Sequence, residues 1–312
     1  MVKATSTSQV DNGKAFEFAV AQALSTQLKI PIAESPEFSN TRNSYEKVTA
    51  QLQERFPIAA TLAVNHILEK ESKNLFRSRP TGIWVAGDSL GQKGDVRDVV
   101  IKCEGAEIGI SCKTNHDAFK HSRLSGKADF VKSWGLDPAG CSPAYWAAVM
   151  PVFTELTQIR KESGAKALWS DQKEVPERFY WKVLDAFEAE VLRLTAADAP
   201  RASEVSKNLI SYIIGNHDFY KVISRPDQVE IQGFNLNGTL AVSRTRFPEH
   251  VIGIDRLNGG QYSKTVRFNR GFTFNFRIHS ASSRVESSLK FDVKAISLPP
   301  AEIYTNHISF AK

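Results

Sequence analysis

Asp98 and Lys113 are the two residues of this chain best placed to do chemistry, because a carboxylate beside an ammonium can hold a metal ion against a phosphodiester. A hairpin would bring them together. From Gly94 to Lys113, β-branched residues run on both sides of Glu104-Gly105, and that dipeptide suits a two-residue turn with its glycine at positive φ. Pairing Cys103 with Ala106 sets the register: Ile101 falls opposite Ile108, Val99 opposite Ile110 and Asp98 opposite Ser111. Side chains alternate between faces. One face then carries Val99, Ile101, Ile108 and Ile110 for a core, and the other carries Asp98, Lys102, Glu107, Ser111 and Lys113. A slip of one residue would scramble both sets. Without further signals, the same ribbon reads as an edge hairpin with a solvated face.

An aspartate, an apolar strand, a tight turn, a second apolar strand and then x-x-Lys form the pattern of the PD-(D/E)xK nuclease fold. The resemblance narrows with three longer blocks. Glu107-Ile-Gly-Ile-Ser-Cys-Lys-Thr-Asn-His-Asp-Ala-Phe-Lys-His-Ser-Arg-Leu-Ser125, Gly94-Asp-Val-Arg-Asp-Val99 and Phe276-Arg-Ile-His-Ser-Ala-Ser-Ser-Arg-Val-Glu-Ser-Ser-Leu-Lys-Phe-Asp292 resemble the HaeIII family of type II restriction endonucleases. Shorter blocks at Gly13-Lys-Ala-Phe-Glu17 and Asp218-Phe-Tyr-Lys-Val-Ile223 extend the similarity over most of the chain. The resemblance implies a Mg2+-dependent enzyme that cuts double-stranded DNA within GGCC. In that fold the first-strand Asp and the acid two before the lysine bind the metal, and the lysine orients the attacking water.

This chain departs from the pattern at Ser111, where the second acid is expected. A neutral hydroxyl is a poor ligand for hard Mg2+. The catalytic set is therefore Asp98, Lys113, Glu17 and Ser111. Metal ligands are sought first at Asp98, then at Glu17 on the first helix, then at Asp95 and Asp129, with Asp117 a further candidate. Asp95 could instead bind Arg97, Asp117 could be a helix N-cap, and Glu17 borders an apolar stripe of Phe16, Val20, Ala23, Leu24 and Leu28. His116 and His121 lack a Cys or carboxylate at ligand spacing, so they are weak metal signals. Lys120, His121, Arg123 and Lys127 suit phosphate binding instead.

The elements that must position these residues fall into three zones of a mixed α/β chain: a restriction-endonuclease-like core over residues 1–135, a helical insertion over 136–215, and a C-terminal antiparallel β lobe over 216–312. In the core, helices are expected near Gly13–Leu28, Thr41–Glu54 and Ile58–Glu71, a strand near Gly82–Val85, then the hairpin and a helix from about Ala118. In the second zone, Ser142-Pro143 reads as an N-cap with Pro at N1 and Asp171-x-x-Glu174 as a capping box. Phe179, Val183, Phe187, Val191 and Leu194 form one buried helical stripe. The third zone changes to period two, with turn signals at Asn237-Gly238 and Gly259-Gly260.

Charge is concentrated where a polyanion would need it. The 312 residues carry net charge +6, and from Ile231 to Ala295 ten Lys or Arg stand against four Asp or Glu, leaving the remainder neutral. Guanine O6 and N7 are read by Arg or Lys donors, so Asn269, Arg270, Arg277, His279 and Arg284 are the expected base-reading residues. Three cysteines make no disulfide framework and fit a reducing cytoplasm, and the polar start reads as a frayed arm rather than a secretory signal. No apolar run spans a bilayer. Expected partners are double-stranded DNA, a second copy across a palindromic site, and a cognate DNA methyltransferase that protects the same sites. A binding module without catalysis and a less selective repair nuclease are the competing classes, separable by whether Mg2+ yields discrete fragments.

Overall fold

A computed structural model describes residues 8–87, 95–115, 118–256, 262–280, 282–299 and 301–310, with the backbone alone described at 118–121 and 165. Along the chain the helices are α1 (Gln9–Leu28), α2 (Pro36–Lys47), α3 (Ala50–Lys70), α4 (Ser72–Arg77), α5 (Phe130–Ser133), α6 (Pro143–Ser163), α7 (Trp181–Thr195) and α8 (Ala202–Ile214). The strands are β1 (Pro80–Val85), β2 (Val99–Cys103), β3 (Ala106–Thr114), β4 (Ala118–Ser125), β5 (Phe219–Ser224), β6 (Gln228–Phe234), β7 (Val251–Arg256), β8 (Ser263–Phe268), β9 (Thr273–His279), β10 (Ser288–Ser297) and β11 (Tyr304–Ser309). The fold is mixed α/β, as expected.

The chain divides into two compact units, and neither is one continuous segment. The first gathers residues 1–117, 215–246 and 300–312, the second 118–214 and 247–299. The period-two zone therefore does not form one sheet. β5, β6 and β11 join the hairpin in a six-stranded sheet of order β1-β2-β3-β5-β6-β11, in which only β3 and β5 run parallel. The antiparallel five-stranded sheet of the second unit has the order β4-β10-β9-β8-β7.

In the first unit, α1 and α3 bury Phe16, Val20, Leu24, Phe56, Ala60, Val64 and Ile67 against Val99, Ile101, Ile108, Ile110, Tyr220, Val222 and Ile231 of the sheet. The hairpin has the expected register, with Val99 opposite Ile110, Ile101 opposite Ile108 and Cys103 opposite Ala106. Gly105 turns it at φ 78°, in the left-handed region that only glycine enters at no cost. The expected break between a helix ending near Glu54 and one starting near Ile58 lies inside α3, which contains Pro57, and the real break falls at Val48-Thr49. Proline removes the N–H that would bond the Gln53 carbonyl. The Tyr45 hydroxyl donates to that oxygen at 2.8 Å, so the helix continues.

In the second unit, Phe187 of α7 packs among Phe130, Trp134, Phe276 and Phe291, and the stripe Phe179, Val183, Phe187, Val191, Leu194 is buried throughout. Ser142 caps α6 by accepting from the Tyr145 N–H at 3.1 Å, with Pro143 at N1. Two expectations are corrected. Asp171 and Glu174 form no capping box, since Asp171 ends a 3-10 turn and Glu174 has φ 50°. The segment after the hairpin is strand β4 rather than a helix, because it pairs with β10 from Ser288 to Lys294 and buries alternate residues Ser122 and Leu124. Asp117, His116 and Gly259-Gly260 lie outside the described residues. Cys103, Cys112 and Cys141 are free thiols, and no described helix is long and apolar enough to cross a membrane.

Candidate active site

Asp98 sits at the mouth of β2. Its N–H donates to the Ile110 carbonyl at 2.8 Å, and its own carbonyl accepts from Ala86 at 2.9 Å, so the backbone there is tied to both neighbouring strands. Three donors from β3 converge on one carboxylate oxygen, Oδ2: the Ser111 hydroxyl at 3.1 Å, the Cys112 N–H at 2.6 Å and the Lys113 ammonium at 3.2 Å. Oδ1 receives no hydrogen bond among the described residues. The carboxylate is thus held in one orientation by one oxygen and presents the other. Asp98 and Lys113 keep about a quarter of their side-chain surface exposed, at 25% and 22%, so the pair is within reach of a ligand.

Glu17 of α1 joins them. Burial alone would lower the Lys113 ammonium, but Asp98, with Cys112 and Glu17, outweighs it and holds Lys113 above the ordinary lysine value. Burial pushes the neighbouring Cys112 thiol well up, with Asp98 and Glu17 adding to the effect, so this cysteine stays protonated and is no thiolate ligand. Asp98, Lys113 and Ser111 are therefore in direct contact, and Glu17 lies near enough to act electrostatically on Lys113. The two carboxylates and the hydroxyl are oxygen donors. That suits Mg2+, which is commonly bound through one or two carboxylates with substrate phosphate and water completing the shell. Among the described residues, no three His, Cys, Asp or Glu converge as a self-sufficient metal cage.

Asp95 and Asp129 are engaged elsewhere. Both Asp95 oxygens accept from the Arg97 guanidinium at 2.8 Å, and burial, which would raise its carboxyl, is outweighed so that it lies below the ordinary value. Arg97 also reaches Glu107 at 2.9 Å, and its stem lies over Gly109, where a Cβ would fall 2.0 Å from the Arg97 Cδ. Arg97 thereby staples the approach to Asp98 onto β3. Asp129 belongs to the second unit and caps α5, accepting from Lys132 N at 3.0 Å and Cys141 N at 3.1 Å. Asp95 is thus held by a guanidinium two residues along the chain, and Asp129 by the Lys132 and Cys141 backbone.

The sequence reading missed Lys221. It is 2% exposed, and its Cα is in register with Ser111 across the parallel β3–β5 pair, so it shares the face of Asp98, Ser111 and Lys113. A lysine in the middle of the apolar run Phe219-Tyr-Lys-Val-Ile223 was the available signal.

The second sheet has one apolar and one polar face. On the polar face Arg123, Lys290 and His279 share one cross-strand row, Asp292 and Arg277 the next, and Lys294 and Asn275 the third. Of the expected DNA contacts, Arg277 is half-buried and Arg284 and Lys127 are exposed, and none of the three side chains makes a described hydrogen bond or ion pair. Others have partners within the protein. Arg123 binds Glu286 and Ser288, Asn269 accepts from Glu249 N at 2.7 Å, Arg270 pairs with Glu249 at 2.8 Å, and His279 pairs with Asp292 at 2.6 Å. Lys120 and His121 lie on β4, with side chains outside the description.

The family model for the HaeIII restriction endonuclease matches residues 13–299. The Type II restriction enzyme HaeIII of Haemophilus aegyptius is 32% identical over 308 aligned residues, covering 93% of this chain and 94% of that protein. No solved structure matches the chain.

Proposed function

Because this chain belongs to the HaeIII restriction endonuclease family, and is thus a site-specific DNA-cleaving hydrolase, we propose that it cuts double-stranded DNA at GGCC with Mg2+ as cofactor. The observation that carries the catalytic assignment is the Asp98–Lys113 contact of 3.2 Å on neighbouring strands, with Oδ1 of Asp98 left open.

Asp98 and Glu17 would hold the cation, with Ser111 steadying Asp98 by its hydroxyl rather than replacing the missing acid. When bound, Mg2+ activates water and stabilises charge developing on the phosphorus oxygens. Lys113 stays protonated across the neutral and mildly alkaline range, because its value lies above that of a free lysine. It orients the attacking water and places positive charge where negative charge develops. Asp95 is the anchor of Arg97, and Asp129 is a helix cap.

Of the expected DNA contacts, Arg277, Arg284 and Lys127 are the cations whose side chains have no described protein partner, and they are assigned to DNA, Arg277 to a guanine edge. A palindromic site fits two copies related by a twofold axis, and a cognate methyltransferase acting on the same sequence would spare host DNA. The deciding experiment incubates plasmid with wild-type protein, Asp98→Ala and Lys113→Ala in Mg2+, followed by sequencing of fragment ends. Wild type should give discrete fragments ending within GGCC. Each variant should bind DNA but cleave at least about 100-fold more slowly, and near-normal turnover in either would remove its assignment.

A further inference from the structure

Arg277 stands directly opposite a carboxylate and does not bind it. Arg277 and Asp292 are register partners on β9 and β10, which sets their Cβ atoms about 5 Å apart on one face of the sheet. An Arg and an Asp so placed are within reach of a favourable cross-strand pair, which for these groups can be bidentate. Here the Asp292 carboxylate turns along its own face to the next row, where Oδ2 lies 2.6 Å from His279 Nε2 and Oδ1 lies 3.8 Å from the Lys290 ammonium. His279 is fixed from its other side as well. Nδ1 lies 2.8 Å from the Ser280 carbonyl, which can only accept, so Nδ1 is the donor there.

Two positions along β9 from Arg277, Asn275 is 6% exposed, and its Nδ2 meets no partner among the described residues. That amide is buried, so the donor that this strand offers without a described protein acceptor is the half-buried Arg277 guanidinium. That is what reading the acceptor edge of guanine requires. An arginine paired with Asp292 could not do this, since its fork would already be occupied.

We propose that His279 is a positioning residue for sequence recognition: by engaging Asp292 it keeps that carboxylate off Arg277, leaving the guanidinium open for a guanine edge. The inference rests on the assignment of Arg277 to DNA. It also gives His279 a part different from direct base contact, since both ring nitrogens are already occupied within the protein.

The test measures binding of the full chain, by fluorescence anisotropy with Ca2+ in place of Mg2+, to a short duplex carrying one GGCC and to the same duplex with those four bases scrambled. Arg277→Ala should weaken binding to the GGCC duplex by about 10-fold or more and erase the preference. His279→Ala releases Asp292 to capture Arg277 and should weaken the same binding by a comparable factor. Adding Asp292→Asn to His279→Ala removes the captor and should restore affinity to within about threefold of wild type. A purely structural role for His279 predicts no such rescue, because the double variant would lose the same packing and one more contact. If the double variant binds as weakly as His279→Ala, or if His279→Ala binds like wild type, the positioning role is overturned while the Arg277 assignment stands. If Arg277→Ala keeps both affinity and preference, the assignment of Arg277 to DNA falls, and the role of His279 with it.

Discussion

Asp98 has two carboxylate oxygens, and the strands use one of them. Three donors on Oδ2 fix its orientation, and Oδ1 is left for a ligand. The position of the missing acid illustrates how side-chain chemistry is redistributed at this scale. Ser111 faces Asp98 where a carboxylate is expected, and a second negative charge there would repel Asp98 across a distance now closed by a hydrogen bond. Glu17 brings a carboxylate from a helix, near enough to act electrostatically on Lys113. We predict that Glu17→Gln lowers cleavage about 100-fold with DNA affinity nearly intact, whereas Ser111→Ala lowers it less than about tenfold. Asp129→Asn should cost less than about 1 kcal/mol of stability, since asparagine caps nearly as well, and leave cleavage within a few-fold of normal. Single-turnover cleavage rates and urea unfolding of the three variants decide the matter, and a large cleavage defect confined to Asp129→Asn would return that residue to the site.

Helices α1, α2, α5 and α6 begin at side-chain caps, and the α6 cap is held by a buried carboxylate. Glu190 of α7 is 2% exposed and accepts from the Ser142 N–H at 2.9 Å, the Ser142 hydroxyl at 2.6 Å and Arg193 at 2.7 Å, so it anchors the start of α6 to a neighbouring helix. Burial alone would raise its carboxyl, but Arg193 and Ser142 outweigh it and hold it below the ordinary value of 4.5. A group depressed in the folded state stabilises above its unfolded pKa and loses that contribution as pH falls through the folded one. Glu190→Gln should therefore cost about 1.5–3 kcal/mol at pH 7, and the gap to wild type should shrink as pH drops below about 4.5. Urea unfolding of both proteins from pH 7 to about pH 3 measures this, and a constant gap would refute it. The Ser142-Pro143 start was legible because its signal is local. The continuation of α3 through Pro57 was not, because the hydroxyl that rescues it comes from Tyr45 on another helix.

At the scale of the whole molecule, two units each carry their own sheet, one holding the acidic and lysine cluster and the other a face rich in Arg and Lys. Binding of such a surface to DNA releases counterions, so affinity should fall steeply with salt. Lys127→Ala should weaken binding to any sequence alike and flatten the log–log salt slope by about one, while Arg277→Ala should chiefly relax sequence preference. Titrations of both variants on matched and scrambled duplexes separate phosphate from base contacts, and equal losses of preference in the two would refute the division. The sequence alone determined the hairpin, its register, the Asp98–Lys113–Ser111 face and the buried α7 stripe, because alternation, turn chemistry and helical spacing are properties of adjacent residues. Only the tertiary structure decided that residues 118–125 form a strand and that β5, β6 and β11 complete the sheet that carries Asp98 and Lys113. Each of those outcomes depends on partners far apart in the chain, and no local pattern records which distant donor or strand edge a segment will meet.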